Sequence, residues 1–433
     1  METAALIIVC LFEIAYAFYC VITRSDQAKT RNIARIGFFI VFGFLILTSI
    51  VQWGFRWYAF AALLLVLAIL GTIALLQKNR SSKVYRKSRI IGNAVGMIFL
   101  AALTLVPAFI FPQFTPLQPT GKYEVETTVN TYTDVNRVET YSDKKEGRKI
   151  TVQYWYPKTA DGTFPLIIFS HGSFGLRTSN LSLYRELASN GYVVCSIDHT
   201  YQSIYSTDVD GHTIFLDGGF MREVAAEDAH TNKQQSYEYY QKWLAVRAGD
   251  IIFVIDHILA RSNNAATETV FRLVDPSKIG LMGHSLGGSA VLHVGRMRKD
   301  ISAAMALEAP FMGDIVGVEN GEFVWNKETY PVPVLNIYSD SSWSHLGEWS
   351  QYAENAKLLT DKDAIAYNVY LQGAGHLNLT DLALTSPFLT QILNGQKASR
   401  DPKYYLTAIN QLTLEFFDHY LKDKGVFDPQ PKY

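Results

Sequence analysis

"LMGHSLGGSA", residues 281–290, sets Ser285 between Gly283 and Gly287, after the apolar run 278–282 and ahead of a stretch with helical spacing that reaches Arg298. The pattern is G-x-S-x-G, and its strand-before, helix-after context is the one in which a sharp turn lifts a nucleophilic serine out of a sheet. A side chain at either glycine would crowd that turn. The plainer reading is a glycine-rich turn without chemistry, and the two are separated by whether Ser285 has partners.

A serine hydroxyl attacks poorly until a base takes its proton, and the base needs an acid to orient it and stabilise its charged form. On strand–helix folds with this turn, the chain order is serine, acid, histidine. His293 lies on the helix that follows Ser285, too near to serve, and His419 lies within the last helical stretch. His345 and His376 remain. His376 stands in "LQGAGHLNLTDL", 371–382, on a glycine-rich loop after the strand-like run 364–371, and is the expected base. For the acid, Glu308 closes the run "AAMALEAP", 303–310, and Asp340 closes the next, "VLNIYSD", 334–340. Both positions can aim a carboxylate at the histidine, and the local residues do not separate them. The developing oxyanion needs backbone N–H donors. Leu286 supplies one as the residue after the nucleophile, and Ser173, in "IIFSHGSFG" at 167–175, supplies the other. Tyr201 and Gln202 follow the fourth strand and read as ordinary loop residues, with a site-lining role as the alternative.

Strand-like runs fall at 123–132, 149–156, 165–170, 192–198, 278–282, 303–308, 334–338 and 364–371, with helical patterns at 181–189, 237–260, 285–298, 349–359 and 404–424. Short apolar strands alternating with helices predict an α/β fold, a mostly parallel sheet covered on both faces. Leu406, Ile409, Leu412, Phe416 and Tyr420 form the core stripe of the last helix. The segment 203–235 breaks the rhythm; it is long, polar and glycine-bearing, and reads as a lid-like insertion. Its His212, Asp217 and His230 match no metal-site spacing and are expected to be solvated. No metal or cofactor is expected.

Composition divides the chain. Residues 1–112 hold four runs near the roughly 20 apolar residues needed to cross a bilayer, at 3–22, 36–53, 57–76 and 90–111. Trp53, Trp57 and Tyr58 sit at their ends, where rings meet lipid headgroups. The first run carries Glu2 and no leading Lys or Arg, which disfavours a cleaved signal. The predicted organisation is a four-helix transmembrane region, 1–112, a proline-bearing linker, 113–120, and a catalytic domain, 121–433. Arg24, Lys29, Arg31 and Arg35 follow the first run, and Lys78, Arg80, Lys83, Arg86, Lys87 and Arg89 follow the third, whereas the second loop has only Arg56. Positive loops stay cytoplasmic, so both the amino terminus and the catalytic domain are expected outside. Glu13, within the first run, is expected to face the bundle interior. Cys10, Cys20 and Cys195 suggest no disulfide framework, and a net charge of −1 argues against nucleic acid as a partner.

The chain resembles the α/β-hydrolases related to plasma platelet-activating factor acetylhydrolase. The resemblance spans about 122–424 and rests on "FSHGSFG" at 169–175, "GYVVCSIDHTYQS" at 191–203, "DPSKIGLMGHSLGG" at 275–288, "AMALEAPFMG" at 304–313, "PVLNIYSD" at 333–340 and "GAGHLNLTDL" at 373–382. It implies an α/β-hydrolase fold and a serine carboxylic-ester hydrolase acting on a short or modified acyl group, as on a lipid. The family's acid follows the strand after the nucleophile's helix, in a segment like "ALDA"; "ALEA" stands here, so the resemblance assigns the role to Glu308 over Asp340, with glutamate in place of aspartate. Two rival readings are an acyltransferase using the same triad, and a transporter or sensor whose outer domain only binds.

Overall fold

Eight strand-like runs become the eight strands of one sheet: β1 (Val125–Val138), β2 (Gly147–Pro157), β3 (Phe164–Ser170), β4 (Val193–Asp198), β5 (Val274–His284), β6 (Ile301–Leu307), β7 (Val334–Ser339) and β8 (Ala366–Leu371). These come from a computed structural model that describes residues 1–77, 85–158, 161–262 and 268–433. Lys78, Arg80 and Lys83, part of the charge argument above, lie outside the described residues. The spatial order is β1-β2-β4-β3-β5-β6-β7-β8. β1 and β2 are antiparallel, β2 meets β4 antiparallel, and β3 through β8 run parallel. β3 and β4 are buried throughout, as strands covered on both faces must be.

The period of two along β5 assigns the faces. Ile279 and Leu281 join the core formed with Leu244, Ile251, Val254 and Ile258 of α7 (Lys233–Ser262) and Ala290, Val291 and Val294 of α8 (Leu286–Met297). Gly280 points the other way, where a Cβ would come within 2.7 Å of Phe417 on α9 (Pro402–Lys422). α5 (Leu181–Ser189) packs against α9 on that side. Each fully buried Leu, Ile or Phe in these layers contributes roughly 1.5–3 kcal/mol relative to exposure. The fold is that of an α/β-hydrolase: a mostly parallel sheet with helices on both faces.

The segment 203–235 is ordered secondary structure. A hairpin, Tyr205–Thr207 with Thr213–Phe215, leads into α6 (Gly218–Ala226), which Asp217 caps by accepting a hydrogen bond from the Phe220 N–H at 2.8 Å. Phe220 is buried with Tyr240, Trp243 and Leu286. Asp217 is thus a helix cap, and His212 is exposed and pairs with Asp208 at 3.3 Å.

By its contacts the chain divides into Met1–Thr115 with Leu384–Leu389, and Pro116–Ala383 with Thr390–Tyr433. The first unit contains α1 (Glu2–Thr23), α2 (Ala28–Leu47), α3 (Tyr58–Leu76) and α4 (Lys87–Ile110), four helices long and apolar enough to cross a membrane. α1 packs on α4 and α2 on α3. Val9, Phe42, Trp57, Leu64 and Leu105 form the interior, while Leu11, Phe18, Phe44, Val95 and Phe99 are exposed. The helices are thus apolar outside as well as inside, the pattern of segments that could span a membrane. Glu13 is buried among Val9, Phe12, Arg35, Phe38 and Met97. The second helix begins and ends earlier than its hydropathy suggests: Arg31 and Arg35 are accommodated inside it, and the chain turns at Ser49, φ 58°.

Candidate active site

Ser285 ends β5 and opens α8 with φ 53° and ψ −127°, a conformation that L-residues adopt only where surroundings enforce it. The enforcement is steric. A Cβ on Gly287 would lie 2.1 Å from the Ser170 carbonyl oxygen, and one on Gly283 would lie 2.5 Å from that of Gly287. The helix therefore starts directly against β3, and Ser285, held by its N–H to the Leu307 carbonyl at 2.8 Å, remains partly accessible.

His376 opens a short 3-10 turn, His376–Leu379, after β8. Its ring centroid is 4.5 Å from that of His284, the residue before Ser285, and its carbonyl accepts the His284 Nε2 proton at 3.2 Å. Ser341 Oγ accepts the His376 N–H at 3.0 Å. Burial and the neighbouring His376 charge hold His284 well below the usual imidazole range, so it is a neutral support.

Glu308 follows β6 at φ 49° and is 2% exposed. Its Oε2 lies 3.6 Å from His376 Nδ1, slightly longer than a hydrogen bond, and neither oxygen has another hydrogen-bond partner among the described residues. Burial pushes this carboxyl up, but His376 together with Ser339 and Ser342 outweighs it and holds the group below its ordinary value. A buried carboxylate so poorly partnered is costly, and a proton arriving on His376 would turn the contact into a full ion pair. Asp340 is committed elsewhere: its Oδ1 accepts from Tyr370 Oη at 2.7 Å and from the Gly373 N–H at 2.8 Å, fastening the loop that carries His376.

The loop after β3 runs beside the elbow. A Cβ on Gly172 would meet His284 Nδ1 at 2.8 Å and Ser285 Cβ at 3.2 Å, so the loop runs against the elbow at Gly172, the residue before Ser173. Neither the Ser173 N–H nor the Leu286 N–H has a protein acceptor among the described residues. The insertion forms one wall here, with Phe220, Phe174 and Leu286 in one apolar cluster.

Sequence reasoning missed what lies beneath that loop. Arg247, Asp250, Arg148 and His199 are wholly or almost wholly buried. Asp250 accepts from Arg148 Nε at 2.6 Å, Arg148 Nη2 at 2.7 Å, Arg137 Nη2 at 2.8 Å and His199 Nδ1 at 2.9 Å. His199 Nε2 in turn accepts from Ser170 Oγ at 2.8 Å. This is a serine–histidine–aspartate chain, but all three side chains are sealed from solvent and serve as framework. Arg247 donates to Gln202 Oε1 at 2.8 Å and to the carbonyls of His171 and Gly172. Burial pushes its guanidinium down to about 9, still charged at neutral pH. Gln202, read as a loop residue, is part of this frame; Tyr201 has φ 68° and stacks on Tyr141. A signal existed for Arg247 and Asp250: both lie on the apolar face of α7 with Trp243, Leu244, Ile251 and Val254.

Residues 148–430 match the family described as platelet-activating factor acetylhydrolase, isoform II, and the chain belongs to that family. Platelet-activating factor acetylhydrolase of Gallus gallus is 24% identical over 292 residues, covering 61% of this chain and 64% of that protein. A protein of Arthroderma benhamiae named "Probable 1-alkyl-2-acetylglycerophosphocholine esterase" is 29% identical over 191 residues, 42% of this chain and 41% of that one. The chain thus spans under two thirds of the length of these curated relatives. Among solved structures, a ferulic acid esterase from Streptomyces cinnamoneus shares the fold, with TM-score 0.55 and 20% identity over 72% of this chain and 95% of that one.

Two consequences concern the scaffold. Gly287→Ala is expected to lose at least the ~1–3 kcal/mol typical of overpacking, measured by denaturant unfolding, because its backbone neighbours cannot yield. Asp250→Asn is expected to cost about 3–5 kcal/mol, because buried Arg148 is left with Glu139 as its one carboxylate among the described residues while Arg137 and His199 lose a charged acceptor. Since Asp250 is held far below its ordinary carboxylate value, its contribution is present above the unfolded value of about 3.9 and disappears as pH falls. Wild type should therefore lose stability on acidification more steeply than the variant.

Proposed function

We propose that the chain is a membrane-tethered serine hydrolase of carboxylic esters, with Ser285 as nucleophile, His376 as general base, Glu308 as its acid, and the Ser173 and Leu286 N–H groups as the oxyanion hole. The observation that carries this reading is the buried Glu308 carboxylate with His376 as its ion-pair partner, next to a serine held at φ 53°. His376 Nε2 takes the Ser285 proton as Oγ attacks the ester carbonyl carbon. The carbonyl oxygen becomes an oxyanion held by the two N–H groups, while Glu308 stabilises the imidazolium through Nδ1. The imidazolium passes its proton to the departing alkoxide, leaving an acyl-enzyme. Water, deprotonated by the same imidazole, then releases the acid and restores Ser285.

The names of the relatives, acetylhydrolase and acetylglycerophosphocholine esterase, support a short acyl group, carried on a lipid, as the substrate class. Four helices of membrane-spanning length support a bilayer tether that keeps the enzyme near such esters, and the positive loops support an extracytoplasmic catalytic domain.

Incubated with a fluorophosphonate probe, wild type should label and Ser285→Ala should not. Glu308→Gln should lower kcat by about 10³–10⁴-fold, as loss of a triad acid does, while Asp340→Asn keeps kcat within about tenfold through a loosened loop; the reverse pattern overturns the assignment of the acid. A reporter active only in the cytoplasm, fused after Tyr433, should stay silent, and a strong signal would contradict the orientation.

A further inference from the structure

The carbonyl of Gly172 and the N–H of Ser173 belong to one peptide unit, and in a trans peptide the two point in opposite directions. Whatever fixes that carbonyl therefore fixes the direction of the N–H. Three donors fix it here: His171 Nδ1 at 2.7 Å, the Gly175 N–H at 3.1 Å and Arg247 Nη2 at 3.5 Å. Arg247 Nη1 also holds the preceding carbonyl, that of His171, and its Nε holds Gln202 Oε1. Gln202 closes the frame from the other side, its own carbonyl accepting the Phe174 N–H at 3.1 Å. His171 Nε2 is tied to Ser203 Oγ at 2.8 Å, which leaves Nδ1 to carry the proton it donates.

Arg247 is unusual for a fully buried arginine. Its acceptors are two peptide carbonyls and one amide, and among the described residues no carboxylate lies within salt-bridge distance of it. Asp250, one turn along α7, supports the cation through space but is already bonded to Arg148, Arg137 and His199, so burying Arg247 remains expensive. It is tolerable where the positive end is delivered through aligned peptide dipoles to a place where negative charge appears.

We propose that Arg247 is a positioning residue for catalysis: with His171 it locks the Gly172–Ser173 peptide so that the Ser173 N–H faces the oxyanion, and its charge polarises that peptide toward the transition state. This rests on the reading of Ser285 as a nucleophile. Without Arg247 the Gly172 carbonyl keeps only the His171 and Gly175 donors, the Ser173 N–H is held less firmly toward the oxyanion, and the ground-state complex is affected far less than the tetrahedral one.

The test uses the full chain in detergent micelles or nanodiscs, with p-nitrophenyl acetate as the ester and an aryl trifluoromethyl ketone as the probe that forms an oxyanion adduct with a serine. Arg247→Met should lower kcat by about 10²-fold with KM within twofold, and the inhibition constant for the ketone should rise in parallel with the loss in kcat/KM. Arg247→Lys, which keeps the charge but not the fork, should fall between Arg247→Met and wild type, and decides the matter if Arg247→Met does not fold. A folded variant with kcat within twofold of wild type would overturn the lock, as would a loss of kcat with unchanged ketone affinity. Wild-type labelling by the fluorophosphonate keeps the two readings apart. Labelling at Ser285 with unaffected Arg247 variants removes only the lock, whereas no labelling removes the nucleophile and the lock together.

Discussion

A carboxylate with almost no exposure, Glu308, has His376 at 3.6 Å as its one ion-pair partner in waiting among the described residues. Much of the carboxyl edge of the sheet serves that contact. β6 delivers the glutamate, β7 supplies Ser339 and the Asp340 carboxylate that fastens the next loop, and β8 hands the chain to His376. The imidazole then lies against His284, whose neighbour Ser285 is forced upward by the absence of side chains at Gly283 and Gly287. Glutamate reaches one methylene further than aspartate, and the backbone at Glu308 is left-handed, φ 49°.

Two kinds of polar burial meet at this edge. Glu308 is left with unfilled hydrogen-bond capacity, which favours a proton arriving on its partner. Asp250, by contrast, accepts four hydrogen bonds, from Arg148, Arg137 and His199. It forms a rigid floor beneath the loop that carries Ser173. The geometry of Ser170, His199 and Asp250 would pass for a catalytic chain if distances alone were consulted. Solvent access separates the two, because Ser285 is partly accessible and Ser170 is sealed.

Much of this was legible before any coordinates. All eight strands of the sheet overlap strand-like runs; β3 and β4, buried throughout, are continuously apolar as strands covered on both faces must be, whereas the largely polar β1 shows itself by its β-branched residues, and the serine elbow declares itself through glycines whose absent side chains are a steric necessity. The order of the strands was not legible, since β3 lies between β4 and β5 through long-range pairing that no local pattern encodes. The insertion read as a long polar loop because its strands are three residues each, too short for a period to register. The choice between Glu308 and Asp340 was open on local residues and was tilted only by the family resemblance, since both end parallel strands. Arg247 and Asp250 escaped because their partners, such as Gly172 and Arg148, lie some 75 to 102 positions away. Charges on the apolar stripe of α7 were the one available trace.

The central claim is that Glu308 holds the proton of His376 on Nδ1, leaving Nε2 free to take the one on Ser285. Proton NMR of the chain with 15N-labelled histidine tests it directly. The account predicts a strongly downfield Nδ1 proton of His376 that sharpens on acidification and vanishes in Glu308→Gln while surviving in Asp340→Asn. A downfield resonance that persists without Glu308, or one that depends on Asp340, would contradict it.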